Sequence, residues 1–232
     1  MPAAARTPRT SPAADATDPG GRLDGVTGET RLTGRPPRPY PAGMLVPDLP
    51  LRTDRLLLRA FTPDDLAVLR DYRGRPEVCR FLYHEPYDDA AARAAVDRMV
   101  RRTALRAPGD VLNLAVVLPE TGEFVGDVLL SWTSGEHRQG EIGYVAHPDH
   151  TGRGYVTEAA REMLRLGFDG LGLHRIVGRL DARNTASARV LERLGMRREA
   201  HLRENEYVKG EWTDEAVYAL LAREWRALAA RV

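Results

Sequence analysis

Lysine is almost missing from this chain of 232 residues: Lys+Arg total 34, and Lys209 is the only lysine among them. Chemistry that needs a catalytic or phosphate-binding lysine must use that residue or none. Cysteine is equally scarce. Cys79 stands alone, which excludes an intramolecular disulfide and a cysteine-built metal site, and its apolar neighbours Val78 and Phe81 make it read as a core residue. No sign of charge predominates, since 34 basic residues face 33 acidic ones for a formal net charge of +1. There is thus no persistent basic excess for a nucleic-acid backbone. No stretch approaches the roughly 18 apolar residues of a membrane span, and the N-terminus lacks the hydrophobic core of a secretory signal. The expectation is a cytoplasmic protein with neither a nucleic-acid nor a membrane partner. No internal repeat is present either.

The first 43 residues are dominated by Ala, Pro, Thr, Gly and Arg, with no apolar run longer than Ala3 to Ala5. Such a segment cannot bury enough apolar surface to offset its ordering entropy, so residues 1–43 are expected to form a disordered tail. Met44 is a candidate translation start, because the ordered pattern begins a few residues later. Residues 44–232 are expected to form one domain, with its core over about 52–225.

Within that region the apolar run around Leu56 to Leu58 suits a strand. Thr62-Pro63-Asp64-Asp65 carries a capping Thr, a Pro at the first helical position and first-turn acids, which predicts a helix. Asp88 and Asp89 open a second helix, Ala90 to about Arg102. Strands are predicted over Val111 to Leu118 and Glu123 to Trp132, joined by the turn residues Pro119 to Gly122. Another runs from about Glu141 to Ala146. Val156, Ala159, Ala160, Met163, Leu164 and Phe168 then trace one helical face, with Gly170 past its end. A strand around Ile176, a helix opened by Asn184 and closed at Gly195, and strands over about 198–208 and 213–221 complete the pattern. The order implies a mixed α/β sheet with helices on its faces.

The segment from Glu141 to Glu158 runs from strand through a glycine-bearing loop to a helix N-terminus. Unpaired N–H groups and the helix macrodipole make such a place a natural anion site, and Gly152 and Gly154 allow close backbone approach. A nucleoside-triphosphate P-loop needs G-x-x-x-x-G-K-[ST], and no lysine stands here. A dinucleotide fingerprint needs a third glycine where Thr157 stands. What the loop resembles is the acetyl-coenzyme A loop of the GNAT N-acetyltransferase superfamily, [QR]-x-x-G-x-[GA], with Gly154 as its central glycine. Thr151 stands where Gln or Arg is usual, and Val156 where Gly or Ala is usual. Downstream, Asn184-Thr-Ala-Ser187 followed by Leu191-Glu192-Arg193-Leu194-Gly195 is similar to the ribosomal-protein N-terminal acetyltransferase (RimJ/RimL-like) branch. Glu141 to Tyr144, Thr157-Glu158-Ala159, and Asp214 with Tyr218 match that branch in order and spacing.

The resemblance implies a GNAT-like, mostly antiparallel central sheet with helices on both faces, in a single domain. It also implies acetyl-CoA as co-substrate, no metal, and a primary amine acceptor: a protein or peptide N-terminus, or a small molecule. Backbone amides of Thr151, Gly152, Arg153, Gly154, Tyr155 and Val156 would meet the pyrophosphate. The N–H of Val145 or Ala146 would stabilise the oxyanion beside a splay in the sheet. Asn184 would hold the pantetheine arm and Ser187 would protonate or hydrogen-bond the departing thiolate, although both also suit a helix cap.

The amine must attack neutral. An α-amino group of pKa about 8 is roughly a tenth neutral at pH 7, whereas a lysine side chain is neutral only about 0.04% of the time. A base therefore matters, and Glu141 is the first candidate, with Asp214 second. Either could instead be a strand-end acid paired with arginine, and Glu158 is expected simply to complement the helix dipole. The His147 to His150 spacing is that of a metal-ligand pair, but Pro148 prevents a helix and no acidic cluster accompanies it. Tyr83, Tyr87 and Trp132 are candidates for the acceptor pocket. A monomer or a homodimer is expected, and a non-catalytic acyl-CoA sensor, or an acyltransferase with another donor or acceptor, stays open beside the acetyltransferase reading.

Overall fold

A computed structural model describes residues 43–230 of the chain. The tail and start-site expectations for residues 1–42 lie outside the described residues. Eight strands build one sheet: β1 (Leu51–Arg52), β2 (Leu57–Arg59), β3 (Val111–Val117), β4 (Phe124–Ser134), β5 (Gln139–Ala146), β6 (Arg175–Asp181), β7 (Arg197–Val208) and β8 (Glu211–Leu221). Their spatial order is β1-β2-β3-β4-β5-β6-β8-β7. Every neighbouring pair is antiparallel except β5 and β6. A parallel pair needs a crossover, and helix α4 (Tyr155–Arg165), extended by one π-turn over Leu166–Gly170, supplies it.

Alternation along the strands divides the core between two faces. Leu112, Leu114, Val128, Leu130, Ile142, Tyr144, Ile176 and Tyr218 point to one face and pack on α4 and on α5 (Thr185–Arg193). Ala115, Val117, Phe124 and Val145 point to the other, against α1 (Leu66–Arg73) and α3 (Asp89–Val100). The α1 side is therefore the face of Asp127, Ser131 and Glu141 as well, since these alternate with Val128, Leu130 and Ile142.

The capping signals act as expected. A 3-10 turn over Pro63–Asp65 leads into α1, and the Asp65 carboxylate accepts the Thr62 N–H at 2.8 Å. The Asp88 carboxylate accepts the Ala91 N–H at the start of α3. Three short elements were not legible in sequence: β1, α2 (Pro76–Cys79) and the terminal α6 (Ala222–Ala229). The last is pinned by tertiary contacts, with the Leu221 N–H donating to Glu224 and the Trp225 ring lying on Phe168 at 5.8 Å.

Candidate active site

The β5–β6 ladder has only three rungs: Gln139 with Arg175, Gly140 with Ile176, and Glu141 with Val177. Past Glu141 the strands part. β5 stays paired to β4 as far as Ala146, while β6 stays paired to β8 as far as Asp181. The gap is lined by β5 backbone with no strand partner on that side among the described residues. The His147 N–H donates to Val125 on the β4 side at 3.0 Å, so alternation turns the Ala146 N–H toward the gap and the Val145 N–H toward β4.

Below the gap lies the glycine loop. Pro148–His150 forms a 3-10 turn, and Gly154 is the N-cap of α4 with φ +80°. Gly152 also has positive φ, at +79°. A Cβ at Gly152 would meet nothing, so this glycine is required by backbone conformation rather than by space. Glu158, expected only to complement the dipole, does more. Its carboxylate accepts the Thr53 hydroxyl at 2.6 Å, the Arg55 N–H at 2.9 Å and the Arg55 guanidinium at 2.7 Å. The guanidinium also donates to the Arg153 carbonyl at 3.0 Å. Burial pushes the Glu158 carboxyl up, but Thr53 and Arg55 together hold it below the usual range. This clamp ties the loop to the segment before β2.

Between the loop and α5 is a cavity of about 280 Å³ whose lining includes Ala146, Gly152, Gly154, Val156, Arg189 and Arg193. It unites a helix N-terminus, left-handed glycines and two cations, a donor set that fits a pyrophosphate. Thr151 and Tyr155 also line it, whereas Arg153 does not. Asn184 and Ser187 lie at the start of α5. The Asn184 side chain caps the helix, accepting the Ser187 N–H at 3.0 Å. Ser187 is fully buried, and its hydroxyl lies 3.0 Å from the Tyr144 hydroxyl, which also donates to the Ser187 carbonyl. Burial pushes the Tyr144 phenol well above its ordinary value.

The two candidate bases are not brought together. Glu141 is buried at the apex of the gap, with the Arg179 Nε 3.5 Å from its carboxylate. Asp214 belongs to the opposite face and is solvent-facing, accepting the Glu204 N–H at 2.9 Å and meeting His201 Nε2 at 2.6 Å. The Glu204 N–H and His201 hold it below the usual carboxylate range. The acid that shares the Glu141 neighbourhood is Glu215, the sequence neighbour of Asp214. It is buried, 3.4 Å from the Arg179 guanidinium and bonded by the Asn205 amide at 2.7 Å. Nothing in the sequence pointed to Glu215, because its face depends on the register of β8 against β6.

On the α3 side, Ser131 stands opposite Glu141 in the β4–β5 ladder and borders a cavity of about 780 Å³. Tyr87 and Trp132 also line this cavity, whereas Tyr83 does not and bonds Glu206 elsewhere. At its floor the buried Arg73 grips the buried Asp127 with contacts of 2.7 and 3.0 Å, and the Tyr72 hydroxyl donates to the same carboxylate. Burial opposes the Arg73 charge, but Asp127, Tyr72 and Tyr87 together outweigh it and raise the guanidinium pKa. Each histidine of the loop lies near acids: His150 Nε2 is 3.1 Å from Glu123, and His147 is 3.7 Å from Asp71 and 3.8 Å from Asp149.

The family model for an acetyltransferase (GNAT) domain matches residues 55–197. An uncharacterized N-acetyltransferase, p20 of Bacillus licheniformis, is 31% identical over 175 residues, covering 75% of this chain and 97% of that protein. Among solved structures, a GNAT-family acetyltransferase from Bacillus anthracis is 31% identical with a TM-score of 0.68, over 75% of this chain and 99% of that one. The spermidine N-acetyltransferase of Vibrio cholerae, solved with CoA and spermine, shares the fold at 20% identity with a TM-score of 0.64, over 75% and 99% of the two chains.

Proposed function

Because the chain belongs to the GNAT acetyltransferase family and is an acyltransferase, we propose that it transfers the acetyl group of acetyl-CoA to a primary amine, with Glu141 as the base. The observation that carries this reading is the place of Glu141. It occupies the last rung before the β5–β6 gap, opposite Ser131, which lines the larger cavity.

Acetyl-CoA supplies an activated thioester, and the residues of this chain supply the rest. Backbone amides of Thr151, Gly152, Gly154, Tyr155 and Val156, with Arg189 and Arg193, hold the pyrophosphate at the start of α4. Asn184 is suited to the pantetheine arm. The Ala146 N–H, turned to the gap, offers a fixed donor where negative charge grows on the acyl oxygen, and such a donor is worth about 3–4 kcal/mol of barrier. As the C–N bond forms and the C–S bond breaks, Glu141 takes the proton that the amine loses. Ser187, hydrogen-bonded to Tyr144, would return a proton toward the sulfur. Arg179 keeps Glu141 oriented and is linked onward to Glu215.

The test is thiol release from acetyl-CoA across an amine and peptide panel, followed by the Glu141→Gln variant. Loss of a positioned base lowers kcat/KM by about 100-fold or more, and the loss is greatest below the pKa of the amine, where neutral nucleophile is scarce. An equal, small loss at every pH would remove Glu141 from this role. Tight acetyl-CoA binding with no turnover on any acceptor would replace the enzyme by an acyl-CoA sensor.

A further inference from the structure

We infer that the acceptor is a small primary amine that also carries a carboxylate, held by Arg98 and Arg102 at the mouth of the 780 Å³ cavity. The inference rests on the acetyl-transfer reading above and narrows its substrate. The cavity volume lies in the ordinary range for small-molecule sites, about 300–1,000 Å³. Its charged lining is Arg73, Arg98, Arg102 and Asp127, and His84 is its one other titratable group apart from Tyr87. Arg73 and Asp127 neutralise each other through a two-point contact. His84 is neutral at pH 7: burial draws its ring down to about 4, and its Nδ1–H points to the Glu85 carbonyl at 2.8 Å. Two positive charges therefore remain, Arg98 in the last turn of α3 and Arg102 just past its end.

Neither guanidinium has a carboxylate partner among the described residues. Arg98 reaches only the Ala94 carbonyl at 3.4 Å, and Arg102 only the Asn113 side-chain oxygen at 3.3 Å. Several other arginines of the chain are paired with acids, as at Arg59, Arg75, Arg165, Arg183 and Arg197. A basic last turn does complement a helix dipole, which accounts for the exposed Arg98. It does not account for Arg102, half-buried against the buried Asn113, where burial and the nearby Arg98 both act against its charge. A carboxylate placed between them would satisfy both through charge-assisted hydrogen bonds. A polyamine would instead bring further positive charge to a wall that is already cationic, with its one carboxylate already engaged.

The experiment compares matched acceptors: an ω-amino acid, the alkylamine of equal length, the corresponding aminoalkylphosphonate, and spermidine. Thiol release is measured for the wild type, for Arg98→Gln/Arg102→Gln and for Arg98→Lys/Arg102→Lys. Binding of the ω-amino acid to the CoA-loaded protein is followed by calorimetry. One charge-assisted contact is worth roughly 10- to 100-fold in affinity. The ω-amino acid is therefore expected to exceed the alkylamine by at least about tenfold in kcat/KM, mostly through KM. That ratio collapses toward one in the double glutamine variant and recovers in part in the lysine variant. A phosphonate favoured over the carboxylate, or spermidine turned over best with a ratio indifferent to both arginines, overturns the inference and leaves acetyl transfer intact. Arginine-dependent binding of the ω-amino acid with no thiol release from any acceptor upholds the inference and overturns the reaction.

Discussion

Gly126 of β4 stands opposite Ala146 of β5, just after the irregularity where β3 and β4 shift register. Its φ is +151°, and a Cβ added there would lie 2.5 Å from the Val145 carbonyl oxygen and 3.3 Å from the Ala146 Cα. Both neighbours are backbone, so no side chain can rotate out of the way. For Gly126→Ala, the strained dihedral costs about 1–3 kcal/mol and the enforced backbone shift a further 1–3 or so. The stiffer unfolded chain returns roughly 0.4–1 kcal/mol. The net loss is about 1–6 kcal/mol, a large part of a domain stability of about 5–15 kcal/mol. Urea unfolding measures it as a lower midpoint at unchanged slope. Gly122→Ala is the internal comparison, since φ there is +72° but a Cβ meets nothing; the left-handed cost of about 1–2 kcal/mol applies, less the same unfolded-chain return, with no backbone clash. Surviving Gly126→Ala protein should also lose thiol-release activity, because the displaced atoms belong to the Val145–Ala146 strand beside the gap. A Gly126→Ala loss no greater than that of Gly122→Ala would refute the reasoning.

Three further perturbations test other parts of the structure. Asp127→Asn leaves the buried Arg73 charge without its carboxylate and should cost about 3–5 kcal/mol in chemical unfolding; a cost below about 1 kcal/mol would show that Arg73 finds another partner. His84 titrates near pH 6.5 when unfolded but only at about 4 when folded, so the unfolded chain binds the extra proton first. Stability is then unaffected above pH 6.5 and falls as pH drops from there toward 4, by at most about 3 kcal/mol and less for the exposed part of the ring. His84→Gln should flatten that slope, and equal slopes in both proteins would contradict it. Asn184→Ala removes the α5 cap and should cost about 1 kcal/mol in unfolding. A matching rise in the Kd for CoA, measured by calorimetry, would separate the pantetheine role from capping alone.

The periodic signals determined most of the fold. Apolar spacing set α3, α4 and α5, caps and turn residues placed their ends, and the glycine loop with Asn184 to Gly195 carried the family resemblance. These signals act over a few residues, where spacing alone says which side chains share a face. Short elements such as β1 and α6 were missed because contacts with distant segments, not local pattern, hold them. Asp214 and Glu215 make the same point at the site. They are adjacent in sequence, and strand alternation requires that they point to opposite faces. Only the pairing of Asp181 with Glu215 in the β6–β8 ladder decided that Glu215 joins Arg179 and Glu141, while Asp214 turns to His201. The scarcity of lysine, readable at once, ruled out a nucleotide P-loop. That Arg98 and Arg102 are left without acids at a cavity wall was decided by the packing of α3 on the sheet, because charge pairing depends on distances between segments that composition does not contain.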